Sequence, residues 1–191
     1  GQTLWACDFL SKKIWTRSGL LECYILFFIH ISSRRVYVSG VSGSPNEHWV
    51  AQQARNFRMH LDDLGQDKAL LIRDGDKKFS EHVTQTFKEL KITPVKIPAY
   101  SPDLNAFSER WVQSLKQECL DHFIVFGTAH LAHLAHGYEK FYNTLRPHQG
   151  MGNVPLSAQG SSPPGDPPKA SDVKCQELLG GWLKHYYREA A

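Results

Sequence analysis

Residues 3–42 follow a strand pattern, and from Ser44 onward helical and strand periods alternate. That switch limits the fold more than any other feature of the chain. Residues 3–10 (TLWACDFL), 23–31 (CYILFFIHI) and 34–42 (RRVYVSGVS) are rich in β-branched and aromatic side chains. Ser32-Ser33 stands between the last two as a turn, so the three segments read as an antiparallel meander. Ser44-Pro45-Asn46-Glu47 then offers a capping box with proline at the first helical position. Val50, Ala54, Phe57, Leu61 and Leu64 follow at spacings of three and four, the stripe of an amphipathic helix. Residues 69–72 read as a short buried strand, and Val83, Phe87 and Leu90 mark a second helix. Residues 93–97 form a further strand, placed at an edge by Pro94. Ser101-Pro102 opens a third helix with Leu104, Phe107, Trp111 and Leu115 as its stripe. A last helix runs from about Thr128 to Leu145, with Leu131, Leu134, Tyr138, Phe141 and Leu145 inward.

The order β-β-β-α-β-α-β-α-α predicts an α/β fold of ribonuclease H-like order: a mixed five-stranded sheet with helices on both faces. Residues 1–157 make up the body, 158–172 a Pro/Gly/Ser-rich linker, and 173–191 a short tail. The tail is apolar and aromatic enough to dock, as two extended pieces hinged at Gly180-Gly181 or as one short helix. At 41% hydrophobic and 21% charged residues the body can bury a core. A formal charge of +3 permits a nucleic-acid partner without arguing for one. Cys7, Cys23, Cys119 and Cys175 are widely spaced with no C-x-x-C pair, which excludes a zinc ribbon or finger. The longest apolar run, from Tyr24 to Ile29, is far short of the ~20 residues that span a bilayer. No charged-then-apolar leader opens the sequence. The expectation is a soluble, reduced, intracellular protein with no membrane partner.

Three acids stand where a purely structural role fits poorly. Asp8 interrupts the apolar strand Trp5–Leu10, and Asp74 ends the strand Leu70-Leu-Ile-Arg-Asp74, where open α/β sheets place ligands. Glu109 lies in the third helix, about 200° around from both Phe107 and Trp111, and so points off the buried stripe. Taken singly, an Asp after a strand is usually a cap or turn former. Three carboxylates gathered at one sheet edge would repel one another, and hard divalent cations would relieve that repulsion.

At this point the sequence resembles the catalytic cores of the retroviral-integrase-like DDE transposases of bacterial insertion sequences. Residues 4–10 resemble the family's first-Asp strand, and residues 72–79 (IRDGDKKF) its second-Asp segment, with Phe79 at the expected offset. Residues 101–116 (SPDLNAFSERWVQSLK) are close to its third-acid helix, and residues 141–155 (FYNTLRPHQGMGNVP) to its closing signature. Thirty-four residues separate Asp74 from Glu109, which suits the family. The resemblance implies that Asp8, Asp74 and Glu109 are the catalytic acids and metal ligands. Relatives often carry Asp-Asn-Gly where this chain has Asp74-Gly75-Asp76. Asp76 is the competing ligand, but it stands only 32 residues from Glu109 and beyond the strand end.

The function implied is a two-metal polynucleotidyl transferase and endonuclease that nicks DNA and transfers strands during transposition. Two Mg²⁺ (or Mn²⁺) ions would be its cofactors, with one activating the attacking oxygen and one stabilising the leaving oxygen. Its partners would be duplex DNA, both element ends and target, and a second copy of the chain when two ends are synapsed. The setting implied is the bacterial cytoplasm and nucleoid. Such transposases usually carry an N-terminal helix-turn-helix region, so the sequence reads as a core fragment or one part of a split protein. Two alternatives stand beside this reading. One is a non-catalytic DNA-binding or assembly protein descended from a mobile element. The other is a general ribonuclease H-like nuclease, against which the signature from Arg146 to Pro155 argues.

Lys116 and Gln113 lie seven and four residues after Glu109, on a flank that resembles the DNA-contacting face of integrase cores. A solvated face is the plain alternative for both. Arg110 is read as supporting the fold, and Arg146-Pro147-His148 equally as structural or as contacting DNA. His130, His133 and His136 spread over about 120° of helix and are read as a polar face rather than a zinc site. The pairs Lys12-Lys13, Arg34-Arg35 and Lys77-Lys78 fit phosphate contacts or surface solubility equally well, and Tyr100 fits a base-stacking role.

Overall fold

The computed structural model describes residues 3–73, 79–96, 106–158, 169 and 172–188. Five strands form the central sheet: β1 (Thr3–Thr16), β2 (Gly19–His30), β3 (Val36–Ser42), β4 (Ala69–Arg73) and β5 (Ile92–Lys96). Their spatial order is β3-β2-β1-β4-β5. The meander β1-β2-β3 is antiparallel, while β1-β4 and β4-β5 are parallel. The parallel pairs require crossovers, and helices supply them: α1 (Glu47–Asp63) before β4 and α2 (Glu81–Glu89) before β5. α3 (Ala106–Glu118) and α4 (Gly127–Thr144) follow. The predicted mixed five-stranded sheet is the one observed.

Period-two alternation assigns each strand residue to a layer. Trp5, Cys7, Leu26, Phe28 and Leu71 face the layer that holds Phe57 of α1 and Phe87 of α2. Ala6, Leu10, Ile25, Phe27 and Ile72 face the opposite layer, with Trp111 and Leu115 of α3 and Leu131, Leu134 and Tyr138 of α4. Residues 25–29 are buried on both sides of the sheet, which is why their sequence is a continuous apolar run. Phe28 stacks on Phe57 with ring centroids 3.8 Å apart, and Phe27 meets Trp111 at 4.2 Å.

Several boundaries differ from the sequence expectation. β1 continues six residues beyond Leu10, because Ser11–Thr16 pair with Gly19–Tyr24 in one long hairpin. α1 is capped by Asn46, whose Oδ1 accepts from the Trp49 N–H at 2.9 Å, so Ser44 and Pro45 lie outside the helix. Asparagine caps as well as serine and sits two residues nearer the apolar stripe. α2 is capped by Ser80, which also donates to Glu47 at the start of α1. β5 is an edge strand, as Pro94 predicts. Ser101-Pro102, Leu104, Ile97, Tyr100 and Lys77-Lys78 lie outside the described residues.

At the other edge, Asn143 of α4 grips β3. Its Oδ1 accepts from the Val36 N–H at 2.9 Å, and its Nδ2 donates to the Val36 carbonyl at 2.7 Å. After α4 come the short pair β6 (Pro147–His148) and β7 (Val154–Pro155). The tail is the extended alternative: β8 (Val173–Leu178) and β9 (Leu183–Arg188) pair antiparallel around Gly180-Gly181, both with positive φ. This hairpin seats on the α3–α4 layer. Leu183 is buried there, Trp182 Nε1 donates to the Glu118 carbonyl at 2.9 Å, and Leu179 sits where a Cβ on Gly137 would be 2.5 Å away.

Trp111→Ala should cost about 3–5 kcal/mol, since it empties the contact between α3 and the sheet. Asn143→Ala should cost about 2 kcal/mol by leaving two backbone groups of Val36 unsatisfied. Urea unfolding followed by tryptophan fluorescence and circular dichroism checks both.

Candidate active site

Asp8 lies mid-way along β1, half-buried, opposite Phe27 of β2. Directly opposed residues share a face, so Asp8 points to the layer of Ala6, Leu10 and Phe27. Its Oδ1 accepts from the Phe9 N–H at 2.7 Å, which fixes the carboxylate against its own strand. The Phe9 ring turns to the other face and lies 5.5 Å from Phe79.

α3 is docked on that same layer by Trp111 against Phe27. Glu109, two residues earlier in its first turn, is exposed, as the helical spacing requires. The cross-strand partner of Asp8 is therefore the residue on which the helix of Glu109 rests. β4 ends at Arg73, whose Cα partner is Cys7, one residue before Asp8. Arg73 donates to Thr84 Oγ1 of α2 at 2.9 Å and lies 5.4 Å over the Phe79 ring, which ties down that strand end. Asp74 is next in sequence. Asp74 and Asp76 both lie outside the described residues.

Gln113 is exposed and Lys116 half-buried, so Glu109, Gln113 and Lys116 follow one flank of α3. Among the described residues no three His, Cys, Asp or Glu side chains gather into a metal cluster. The histidines of α4 behave as a polar face. His130 Nδ1 accepts from the Phe126 N–H at 3.3 Å, and His136 pairs with Glu139 at 3.1 Å. Lys12 pairs with Asp121 at 3.0 Å.

The closing signature is structural in part. Arg146 grips Glu118 through two parallel bonds, Nε to Oε2 at 2.8 Å and Nη2 to Oε1 at 2.6 Å. The Tyr138 hydroxyl donates to Glu118 Oε2 at 2.9 Å. In the sequence Glu118 is one more acid at a helix end. Its distance from Arg146 along the chain hid the pairing. Arg110 corrects the sequence reading: it is exposed and makes no ion pair among the described residues, so it does not hold the fold. Burial pushes the Cys119 thiol up to about 12, which leaves it inert as a nucleophile.

Residues 90–155 match the integrase core domain family. That stretch begins at β5 and carries α3, α4 and the closing signature. The fold is that of retroviral integrase catalytic cores. The HTLV-2 integrase core, solved in complex with magnesium in a trimeric form, superposes with a TM-score of 0.59 at 12% identity, over 82% of this chain and 94% of that one. The BIV integrase core gives 0.53 at 20% identity, over 82% and 91%. A simian T-cell lymphotropic virus intasome, solved with PP2A regulatory subunit B56 gamma, gives 0.59 at 14% identity over 87% of this chain. This chain spans 57% of the length of that one. No curated protein matches the sequence. No helix among the described residues is long and apolar enough to cross a membrane.

Stability should respond to acid through buried imidazoles. His148 is 7% exposed, and its Nε2–H donates to the Tyr142 carbonyl at 2.9 Å. Burial pushes its pKa down, as it does for His30 and His60. A lowered native pKa means that the unfolded chain takes up the proton first, so this stability is present above about pH 6.5 and is lost as pH falls. His136 runs the other way: its bond to Glu139 raises its pKa, and its contribution is lost as pH rises. The urea midpoint should therefore fall between about pH 7.5 and about pH 5.5. His148→Gln should flatten that fall.

Proposed function

We propose that this chain is the catalytic core of a DNA strand-nicking and strand-transfer enzyme of the transposase–integrase type, with Asp8, Asp74 and Glu109 as its acids. One observation carries the reading. Asp8 and the helix of Glu109 meet on one face of the sheet through Phe27 and Trp111, within a fold shared with integrase cores. The family match over residues 90–155 supports it independently, because it covers Glu109 and its helix.

The donor set is all carboxylate oxygen, which fits hard divalent cations such as Mg²⁺ or Mn²⁺. Bound by Asp8, Asp74 and Glu109, two such ions would supply Lewis-acid activation of the attacking oxygen and charge stabilisation of the leaving oxygen. The remaining work falls to the protein. Asp8 is held in register by the Phe9 N–H, and Glu109 is held by a helix whose other flank is locked into the core. Asp8 therefore presents a carboxylate held against its own backbone, and Glu109 one carried on a docked helix. Lys116 and Gln113 extend the same flank and can meet a phosphate beside the scissile one. No Ser, Tyr or Cys nucleophile is assigned, since water or a DNA 3′-hydroxyl can attack directly. The partners on this reading are duplex DNA ends, target DNA and further copies of the chain. Residues 1–157 carry the chemistry, 158–172 link and 173–191 form the tail. A bacterial insertion sequence, acting in the cytoplasm at the nucleoid, is the source that the motifs support.

Asp8→Asn, Asp74→Asn and Glu109→Gln should each reduce Mg²⁺-dependent nicking of supercoiled DNA to background while keeping a native circular dichroism spectrum. Asp76→Asn should retain most of the activity. An inactive Asp76→Asn beside an active Asp74→Asn would reassign the ligand. Binding of DNA with no metal-dependent cleavage by the intact chain would make it a DNA-binding protein instead.

A further inference from the structure

Away from the carboxylates, three arginines from three separate parts of the chain line one cleft. Arg34 comes from the β2–β3 turn, Arg110 from α3, and Arg146 from the residues after α4. The cleft has a volume of about 640 Å³, and no carboxylate lines it among the described residues. Ser114, one helical turn beyond Arg110, and Asn153 add polar groups to its wall. The charge is not neutralised in place. Arg146 is matched by Glu118, whereas Arg34 and Arg110 form no ion pair among the described residues.

The arrangement is built rather than incidental. Arg34 sits at φ 63°, a left-handed conformation that disfavours an arginine, in a tight turn closed by its N–H to the His30 carbonyl at 2.8 Å. Its guanidinium carbon lies over the Phe107 ring, 4.3 Å from the centroid, a contact that restrains the side chain. Tyr142 also lines the cleft. Burial pushes its pKa up, so it stays a neutral group, while Arg146, Arg34 and Arg110 each pull it down. All three cations are thus within electrostatic reach of one oxygen. Guanidinium forks match phosphate oxygens in pairs, and like charges held together call for a polyanion.

We propose that the cleft framed by Arg34, Arg110 and Arg146 binds backbone phosphates of duplex DNA, as a contact point separate from the carboxylates. The inference deepens the strand-transfer reading and rests on it for the identity of the polyanion. Arg110 follows Glu109 directly in α3, so one helix presents the acid on one flank and the arginine on the next. A duplex held at the carboxylates can therefore continue across the cleft. The cleft has room for more than a single phosphate.

The test is binding of a short fluorescent duplex to the full chain across a salt titration without divalent ions. Arg110→Ala and Arg34→Ala should each weaken binding several-fold and make the slope of log K against log salt shallower by about one. Arg34→Lys should keep the slope and still lose affinity, because it keeps the charge but not the fork. Arg55→Ala, on the helix layer of the other face, should change neither. Thermal melts check that each variant folds; Arg110 is exposed, so its variant remains informative if Arg34→Ala does not fold. Inorganic pyrophosphate, titrated in parallel, separates the sources of phosphate. Arginine-dependent pyrophosphate binding with duplex binding unchanged would overturn the DNA assignment. So would an equal loss in Arg55→Ala, or no duplex binding at low salt. Nicking assays run beside these keep the two readings apart. Cleavage with an unchanged salt slope sinks this inference alone, and an arginine-dependent slope without cleavage sinks the enzymatic reading alone.

Discussion

The carboxylate of Glu118 holds together the half of the molecule on which the candidate site depends. Its two oxygens take both prongs of the Arg146 fork and the Tyr138 hydroxyl, while its backbone carbonyl takes the Trp182 indole. One residue at the end of α3 thereby joins α4, the segment after it and the tail hairpin. A partly buried ion pair contributes to orientation more than to net stability, because desolvation offsets much of the attraction. Orientation is what the site needs. α3 approaches the sheet as a rod, and fixing its far end together with the Trp111 contact in its middle fixes the direction in which Glu109 projects.

The sheet solves a related problem for Asp8. A charge in a strand covered on both faces is costly, and the structure limits that cost by leaving Asp8 half-buried with a backbone N–H on its carboxylate. Its neighbours on the same face, Ala6 and Leu10, are fully buried, so the strand changes character over a single side chain. Rigid apolar surroundings with one wet, charged position hold such a group in place.

Much of this was legible in the sequence, for reasons that can be stated residue by residue. Long stripes such as Val50–Leu61 and Leu131–Phe141 announce their helices because burial on one face repeats over several turns. Asp8 was conspicuous because an acid has no business in an apolar strand unless it has a task, and Pro94 marked its edge because proline removes a ladder donor. The extension of β1 to Thr16 was hidden, since polar Ser11–Lys13 interrupt the apolar signal before the buried Ile14. The cap of α1 slipped from Ser44 to Asn46, because both residues satisfy the same chemistry and only geometry chooses. Arg110 is ambiguous in the sequence for a deeper reason. A charged residue beside a buried stripe reads alike whether it braces the fold or faces a cleft, and the cleft is made by Arg34 and Arg146, far away in sequence. Contacts set by topology leave little trace in local pattern.

Each rim of the sheet is also interrupted at one point, by a different device. On the β3 side, Asn143 occupies both backbone groups of Val36; on the β5 side, Pro94 takes one donor out of the ladder. A strand from another chain would find the row of backbone groups broken at each of these points. Continuation of this sheet into that of a second copy is thereby disfavoured at both rims, which guards the fold against edge-to-edge aggregation.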